Sequence, residues 1–271
     1  MKNYSVLMSV YYGEKAENLR LSANSIFTQT VPTNDFILVC DGPLTEELDA
    51  VISQLLSEHS DTLRIIRLAE NRGLGYALNE GIKECKNELV ARMDSDDVAV
   101  SNRCELQLLK FQEDPALAIV GGAIDEFEET PSNIVSHKSM PEEHDDVIRY
   151  ARIRNPFNHP TVMFRKSAVL EVGGYPLRIL HEDYALWANM ILNGVKVCNL
   201  PDTLCYMRVG EGLYSRRGGL SYLKLAIKLR WHLYKTGLYT FWGFITVSLG
   251  LTVMCLIPTS ARKITYRVFL R

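Results

Sequence analysis

The first 125 residues repeat one pattern of apolar and polar positions. Short, nearly continuous apolar runs occupy 4–10, 35–40, 63–67, 88–93 and 118–123. Between them lie longer segments, 17–29, 45–57, 74–85 and 102–113, in which apolar residues recur three and four apart. The runs fit strands buried on both faces, and the spaced segments fit helices with one packed face. Strand and helix in alternation predict an α/β fold, with a mostly parallel central sheet, right-handed crossovers and flanking helices. In such sheets ligands bind at the carboxyl ends of strands. Tyr11, Asp41 and residues 94–97 all fall at such ends, so one cleft can gather them.

The pattern loosens over 126–210. The acidic stretch 125–129 reads as a solvated loop, 163–164 as a buried strand, and 195–197 and 203–207 as two further strands. Residues 182–192 read as a helix that Asn193-Gly194 stops. The expected division is a catalytic domain over 1–211, with halves 1–125 and 126–211, followed by a tail over 212–271. In the tail, 221–235 is helical, with Lys224, Lys228, His232 and Lys235 on one face and Leu223, Ile227, Trp231 and Tyr234 on another. Residues 236–260 carry no charge and are long enough to span a bilayer. Both flanks are basic, however, and Gly243, Gly250 and Pro258 interrupt the run. Helices lying in the cytoplasmic face of a membrane are therefore expected in preference to a span, with ordinary packing on the catalytic domain as the bland alternative.

Charge sharpens that division. The formal net charge of the 271 residues is −2. All 32 acidic residues and 20 of the 30 basic ones lie in 1–211, which carries −12, whereas 212–271 carries +10 and no acid. A basic, acid-free tail suits a polyanionic partner, and the uncharged run beside it favours a membrane surface over nucleic acid. Six cysteines without a C-x-x-C pair argue for a reduced compartment and against a zinc site or a disulfide framework. The apolar stretch 6–10 is too short for a signal peptide. The catalytic part is expected in the cytoplasm.

Asp94-Ser95-Asp96-Asp97 is the densest chemical feature. Three carboxylates in four residues repel one another, and a divalent cation such as Mg²⁺ or Mn²⁺ is the usual remedy. A polar turn capping the next helix would use the same residue types.

In order along the chain, 5–11, Gln29-Thr30, Val39-Cys40-Asp41-Gly42, Asn71-Arg72-Gly73 with Ala77-Leu78-Asn79, Asp94-Ser95-Asp96, 158–161, Gly173-Gly174-Tyr175 and 182–187 resemble a bacterial family 2 glycosyltransferase of the GT-A fold. Such enzymes serve exopolysaccharide and O-antigen assembly. The resemblance covers roughly 4–215 and departs from the family at Cys40, in place of a common acid, and at Asn189, where many relatives carry Arg. It implies a nucleotide-sugar donor, usually linked to UDP, held by Ser9, Tyr11, Asp41, Asn71, Arg72, Asn79, Asp94 and Ser95. Asp41 would meet the base, Tyr11 would stack on it, and Asp94 would contact the ribose. Asp96 would bind a divalent metal, Mn²⁺ or Mg²⁺, that bridges the diphosphate. Asp183 would be the base of an inverting displacement, and Glu182 would orient the acceptor, a glycan carried on a polyprenyl diphosphate. Arg208, Arg216 and Arg217 are candidate phosphate contacts. The alternatives are a sugar-phosphate nucleotidylyltransferase, whose basic first turn is missing at 11–14, and an inactive nucleotide-sugar-binding scaffold.

Overall fold

The computed structural model describes residues 3–177, 179–210 and 219–257. Strands β1 (Ser5–Val10), β2 (Asp35–Cys40), β3 (Leu63–Arg67) and β4 (Leu89–Asp94) pair in parallel in the order β3-β2-β1-β4. Between them run α1 (Ala16–Phe27), α2 (Glu46–Glu58) and α3 (Leu74–Glu84). The apolar runs are continuous because the sheet is covered on both sides. Val6, Met8 and Val10 point into one core with Leu19 and Leu48, and Leu7, Ile37 and Val39 point into another with Ala77 and Leu78. Thr45 caps α2 by accepting from Leu48 N at 3.3 Å.

The sheet continues through β8 (Met163–Arg165), β6 (Leu117–Phe127), β9 (Lys196–Arg208) and the short β5 (Val98–Ala99), with β7 (Ile134–Lys138) paired to β6. β8 is antiparallel to β4 and β6, while β6 and β9 run parallel. Helices α4 (Arg103–Glu113), α5 (His144–Ala151), α6 (Lys166–Glu171) and α7 (Glu182–Leu192) complete the layers. Two expectations for this half are corrected. Residues 125–127 continue β6 instead of forming a solvated loop, and Glu126 is buried, accepting from Ser136 Oγ of β7 at 2.7 Å. The two strands at 195–197 and 203–207 are one strand, β9. Its register jumps from Leu200 to Thr203, so Pro201 and Asp202 bulge out without ending it.

The tail forms α8 (Gly219–Lys235) and α9 (Phe241–Leu256), joined by a turn at Gly237. Helix α8 carries two apolar stripes. Ala226, Leu229 and Leu233 are buried, and Leu229 and Leu233 join Ala185, Ala188 and Ile191 of α7 in one core. The other stripe, with Trp231 and Tyr234, meets Phe244 of α9 with ring centroids 5.7 Å away. This half of the tail thus packs on the catalytic domain. Helix α9 leaves Trp242, Leu249 and Val253 exposed. At 16 residues it is about 24 Å long, short of a ~30 Å hydrocarbon core. Among the described residues no helix is long and apolar enough to cross a membrane.

Candidate active site

The carboxyl ends of β1, β2 and β4 lie side by side, with Ser9 opposite both Val39 and Asp94. The turn after β2 is built round Asp41. Its carboxylate accepts from the N–H groups of Arg72 at 2.8 Å and Gly73 at 2.9 Å, and its carbonyl accepts from Asn71 Nδ2 at 3.1 Å. Gly42, at φ 86°, allows the approach, because a Cβ there would lie 2.5 Å from Asn71 N. Asp41 therefore binds two loops together and keeps only its remaining lone pairs for a base. Arg72 lies 3.7 Å over the Tyr76 ring, and Tyr11 stands half-exposed at the mouth, edge-on to Tyr12. Asn79 has another job. Both ends of its amide are used by the backbone of Tyr175, at 2.8 and 2.7 Å, so it fastens α3 to the segment before α7.

At the end of β4 the acids crowd. Both oxygens of Asp94 receive the fork of Arg92, which is fully buried in the strand. That pairing fixes Asp94 at the end of β4. Its backbone carbonyl accepts from Ser22 Oγ at 2.7 Å, tying β4 to α1. Ser95 is buried and donates to Glu14 at 3.5 Å. Burial, with Asp94 and Glu14 nearby, pushes the Asp96 carboxyl up to about 7. Burial, then Asp96 and Asp94, pushes Asp97 up as well, while Arg208 N donates to it at 2.8 Å. In its side chain Nε donates to Asp96 O at 3.1 Å and Nη1 to Glu129 O at 2.8 Å, so Arg208 braces β9 against the acidic turn. Arg216 and Arg217 lie outside the described residues.

The donor set of this cluster fits a divalent cation. Asp96 sits among like charges, with Arg92 already claimed by Asp94. Among the described residues no three His, Cys, Asp or Glu side chains converge closely enough to hold a metal alone. A site of this kind completes its shell with water and substrate phosphates, as hard cations do.

The second acidic pair opens α7. His181, at φ 57°, turns the chain into the helix, which starts with Glu182 and Asp183. Asp183 accepts from Asn155 Nδ2 at 2.6 Å and faces a cavity of about 800 Å³. Asp94, Asn158 and His159 line the same cavity. Glu182 packs instead toward Gly75, where a Cβ would come within 3.3 Å of its Cγ, and burial pushes its carboxyl up. His159 bonds Tyr175 Oη at 3.0 Å, and burial next to Arg92 holds its imidazole well below the usual range, hence neutral. Sequence reasoning missed Arg92, Glu14 and Asn155. Arg92 was hidden inside an apolar strand. Glu14 did carry a signal, an acid just past the first strand's carboxyl end.

The architecture is a GT-A-like α/β fold, with acids gathered where the strand ends meet a large cavity. The chain belongs to glycosyl transferase family 2, whose profile matches residues 5–173, and it is a glycosyltransferase. It is 40% identical over 99% of both chains to an uncharacterized glycosyltransferase of Haemophilus influenzae. It is 34% identical, over 99% of its own length and 96% of the relative's, to an Escherichia coli UDP-Gal:alpha-D-GlcNAc-diphosphoundecaprenol beta-1,3-galactosyltransferase. The amylovoran biosynthesis glycosyltransferase AmsE of Erwinia amylovora is 38% identical over 83% of this chain and 84% of its own. Among solved structures, the fold is shared with the mannosyltransferase PcManGT of Pyrobaculum calidifontis in complex with GDP-Man and Mn²⁺. That likeness has a TM-score of 0.64 at 17% identity, over 97% of this chain and 79% of that one.

Proposed function

We propose that this enzyme moves a sugar from a nucleotide-sugar, in the first instance a UDP-sugar, to a hydroxyl of a glycan carried on a polyprenyl diphosphate, with inversion at the anomeric carbon. The observation that carries the reading is the single cavity lined by both Asp94, at the end of β4, and Asp183, at the start of α7. It is the arrangement a direct displacement needs, with leaving-group machinery and a proton acceptor at one space. The full-length likeness to the E. coli galactosyltransferase supports the donor and acceptor classes.

In this reading Asp96, with Asp94 and Glu14 close by, would hold a divalent cation against the donor's diphosphate. The cation would supply Lewis-acid stabilisation of the departing nucleoside diphosphate. The turn of Asp41, Asn71 and Arg72, with Ser9 and Tyr11, would hold the nucleoside. Asp183, aimed by Asn155, would take the proton of the attacking hydroxyl, which is a poor nucleophile until that proton leaves. Neutral His159, bonded to Tyr175, lines the cavity without adding charge. The exposed apolar face of α9 and the acid-free tail suit attachment to the inner membrane surface, where such an acceptor would be met.

The test is transfer from a panel of UDP-sugars to synthetic prenyl-diphosphate-linked glycans, with the product's anomeric configuration read by NMR. Inversion is expected. Product that retains the donor's configuration would disprove the single displacement.

A further inference from the structure

The cavity that holds Asp94 and Asp183 does not end at the catalytic domain. Its far wall is made by the tail: Arg230 of α8, and Val247, Leu251 and Met254 of α9. Arg230 is the unusual member. Its guanidinium lies 5.4 Å over the ring of Tyr184, the residue after Asp183, and its Nε and Nη1 are buried without a hydrogen bond. Buried donors without a partner are costly, and an anion or water would satisfy them. The tail offers none, having no acid in 212–271. The carboxylates that line the cavity are held elsewhere: Asp94 by Arg92, Asp183 by Asn155 and Glu126 by Ser136. Arg154 adds a second guanidinium to the same lining.

We propose that Arg230 binds the diphosphate of a prenyl-diphosphate-linked acceptor, and that the apolar wall of α9 takes the first part of its prenyl chain. The proposal rests on the acceptor reading above and assigns it a place. A guanidinium forks onto phosphate oxygens in the way a lone ammonium cannot. Placed beside Tyr184, it would hold the diphosphate near the sugar hydroxyl that faces Asp183. The uncharged side chains of α9 then lead from the phosphates toward Trp242, Leu249 and Val253, which are exposed on its outer face and suited to a lipid surface. The diphosphate would thus be gripped by the tail and the nucleotide by the strand ends, so the two substrates would not compete for one anion site.

Binding is measured by calorimetry on the full chain, with UDP and Mg²⁺ saturating the donor site. The probes are farnesyl diphosphate, farnesol and inorganic pyrophosphate. Farnesyl diphosphate should bind while UDP is present, and more tightly than either of the others. Arg230→Gln should weaken it at least ~10-fold, the usual scale for a hydrogen bond to a charged group. Arg230→Lys, which keeps the charge but loses the fork, should fall between. UDP affinity and melting temperature, followed in each variant, report whether the fold is kept. Equal affinity of wild type and Arg230→Gln for farnesyl diphosphate would overturn the site. So would pyrophosphate binding as tightly as farnesyl diphosphate, which would leave a free-phosphate site, or farnesol binding equally well, which would leave an apolar groove. Failure of the acceptor reading looks different: farnesyl diphosphate would bind in an Arg230-dependent way, yet wild type would transfer to no prenyl-diphosphate-linked glycan.

Discussion

The molecule places two groups of acids around one cavity and treats them in opposite ways. At the end of β4, Glu14, Asp94, Asp96 and Asp97 are crowded together, and one buried arginine neutralises one of them. At the start of α7, Glu182 and Asp183 are adjacent in sequence but make different contacts. One packs toward α3, and the other is held by an amide and faces the cavity. Crowding raises the cost of ionisation until a cation arrives, which suits a metal and a diphosphate. At α7 a single carboxylate, Asp183, is given a fixed aim toward the cavity, which suits one proton transfer. Charge density thus sets the two acidic groups apart where residue type alone does not.

The comparison breaks most easily at Asp96. Asp96→Ala should abolish transfer, and a chelator should do the same to the wild type. Because the carboxyl must lose its proton to hold a cation, and is pushed up to about 7, the metal requirement should ease as pH rises through that value. Full activity in chelator would end the metal assignment. Next is Asp183→Asn, nearly isosteric but unable to accept the proton. Turnover should fall at least ~100-fold, the lower range for loss of a general base, with nucleoside diphosphate affinity near wild type. A loss of only a few-fold would move the base elsewhere.

Arg92 tests what holds the crowded group together. Arg92→Met leaves Asp94 without its partner, and removing one member of a buried pair costs about 3 kcal/mol at the low end of the usual range. Asp94 is 30% exposed and can draw some water, which argues for that low end. Urea unfolding should show the loss, and Mg²⁺ with UDP should recover part of it by binding the native state alone. Unchanged stability would mean that the acids need no internal counter-charge.

Much of the fold was legible because burial on both faces of the sheet writes continuous apolar runs, and strands 35–40 and 63–67 begin and end where the pattern says. Much of what escaped depends on distant partners. Arg92 is the exception: its partner Asp94 stands two residues on, on the same face of β4, but the apolar run around it masked the pair. Asn79 looks like a ligand-binding amide, yet it is spent on Tyr175, 96 residues away. Helix α8 offers two apolar stripes, and only the packing of α7 decides which is buried. Glu126 reads as solvent-facing until β7 folds back to supply Ser136. The positions of Asp94 and Asp183 at a strand end and a helix start were readable, but the cavity joining them was not, because the tail builds its far wall.

The smallest expected effect is at Glu182, and it sharpens the contrast with its neighbour. Glu182 packs on Gly75 and is not part of the cavity lining that includes His181 and Asp183. Burial pushes its carboxyl above the ordinary 4.5, so the native state keeps this proton to higher pH than the unfolded chain does. Between the two values the native state binds more protons, and stability falls as pH rises. Glu182→Gln removes that penalty, because a neutral amide has no charge to desolvate. Its melting temperature should match wild type in acid and exceed it increasingly as pH rises through the raised value. Transfer should change much less than in Asp183→Asn. A melting difference independent of pH would show that the carboxyl is not ionising under a burial penalty. A loss of turnover as deep as that of Asp183→Asn would show that both carboxylates serve the acceptor, and the contrast between them would lose its meaning.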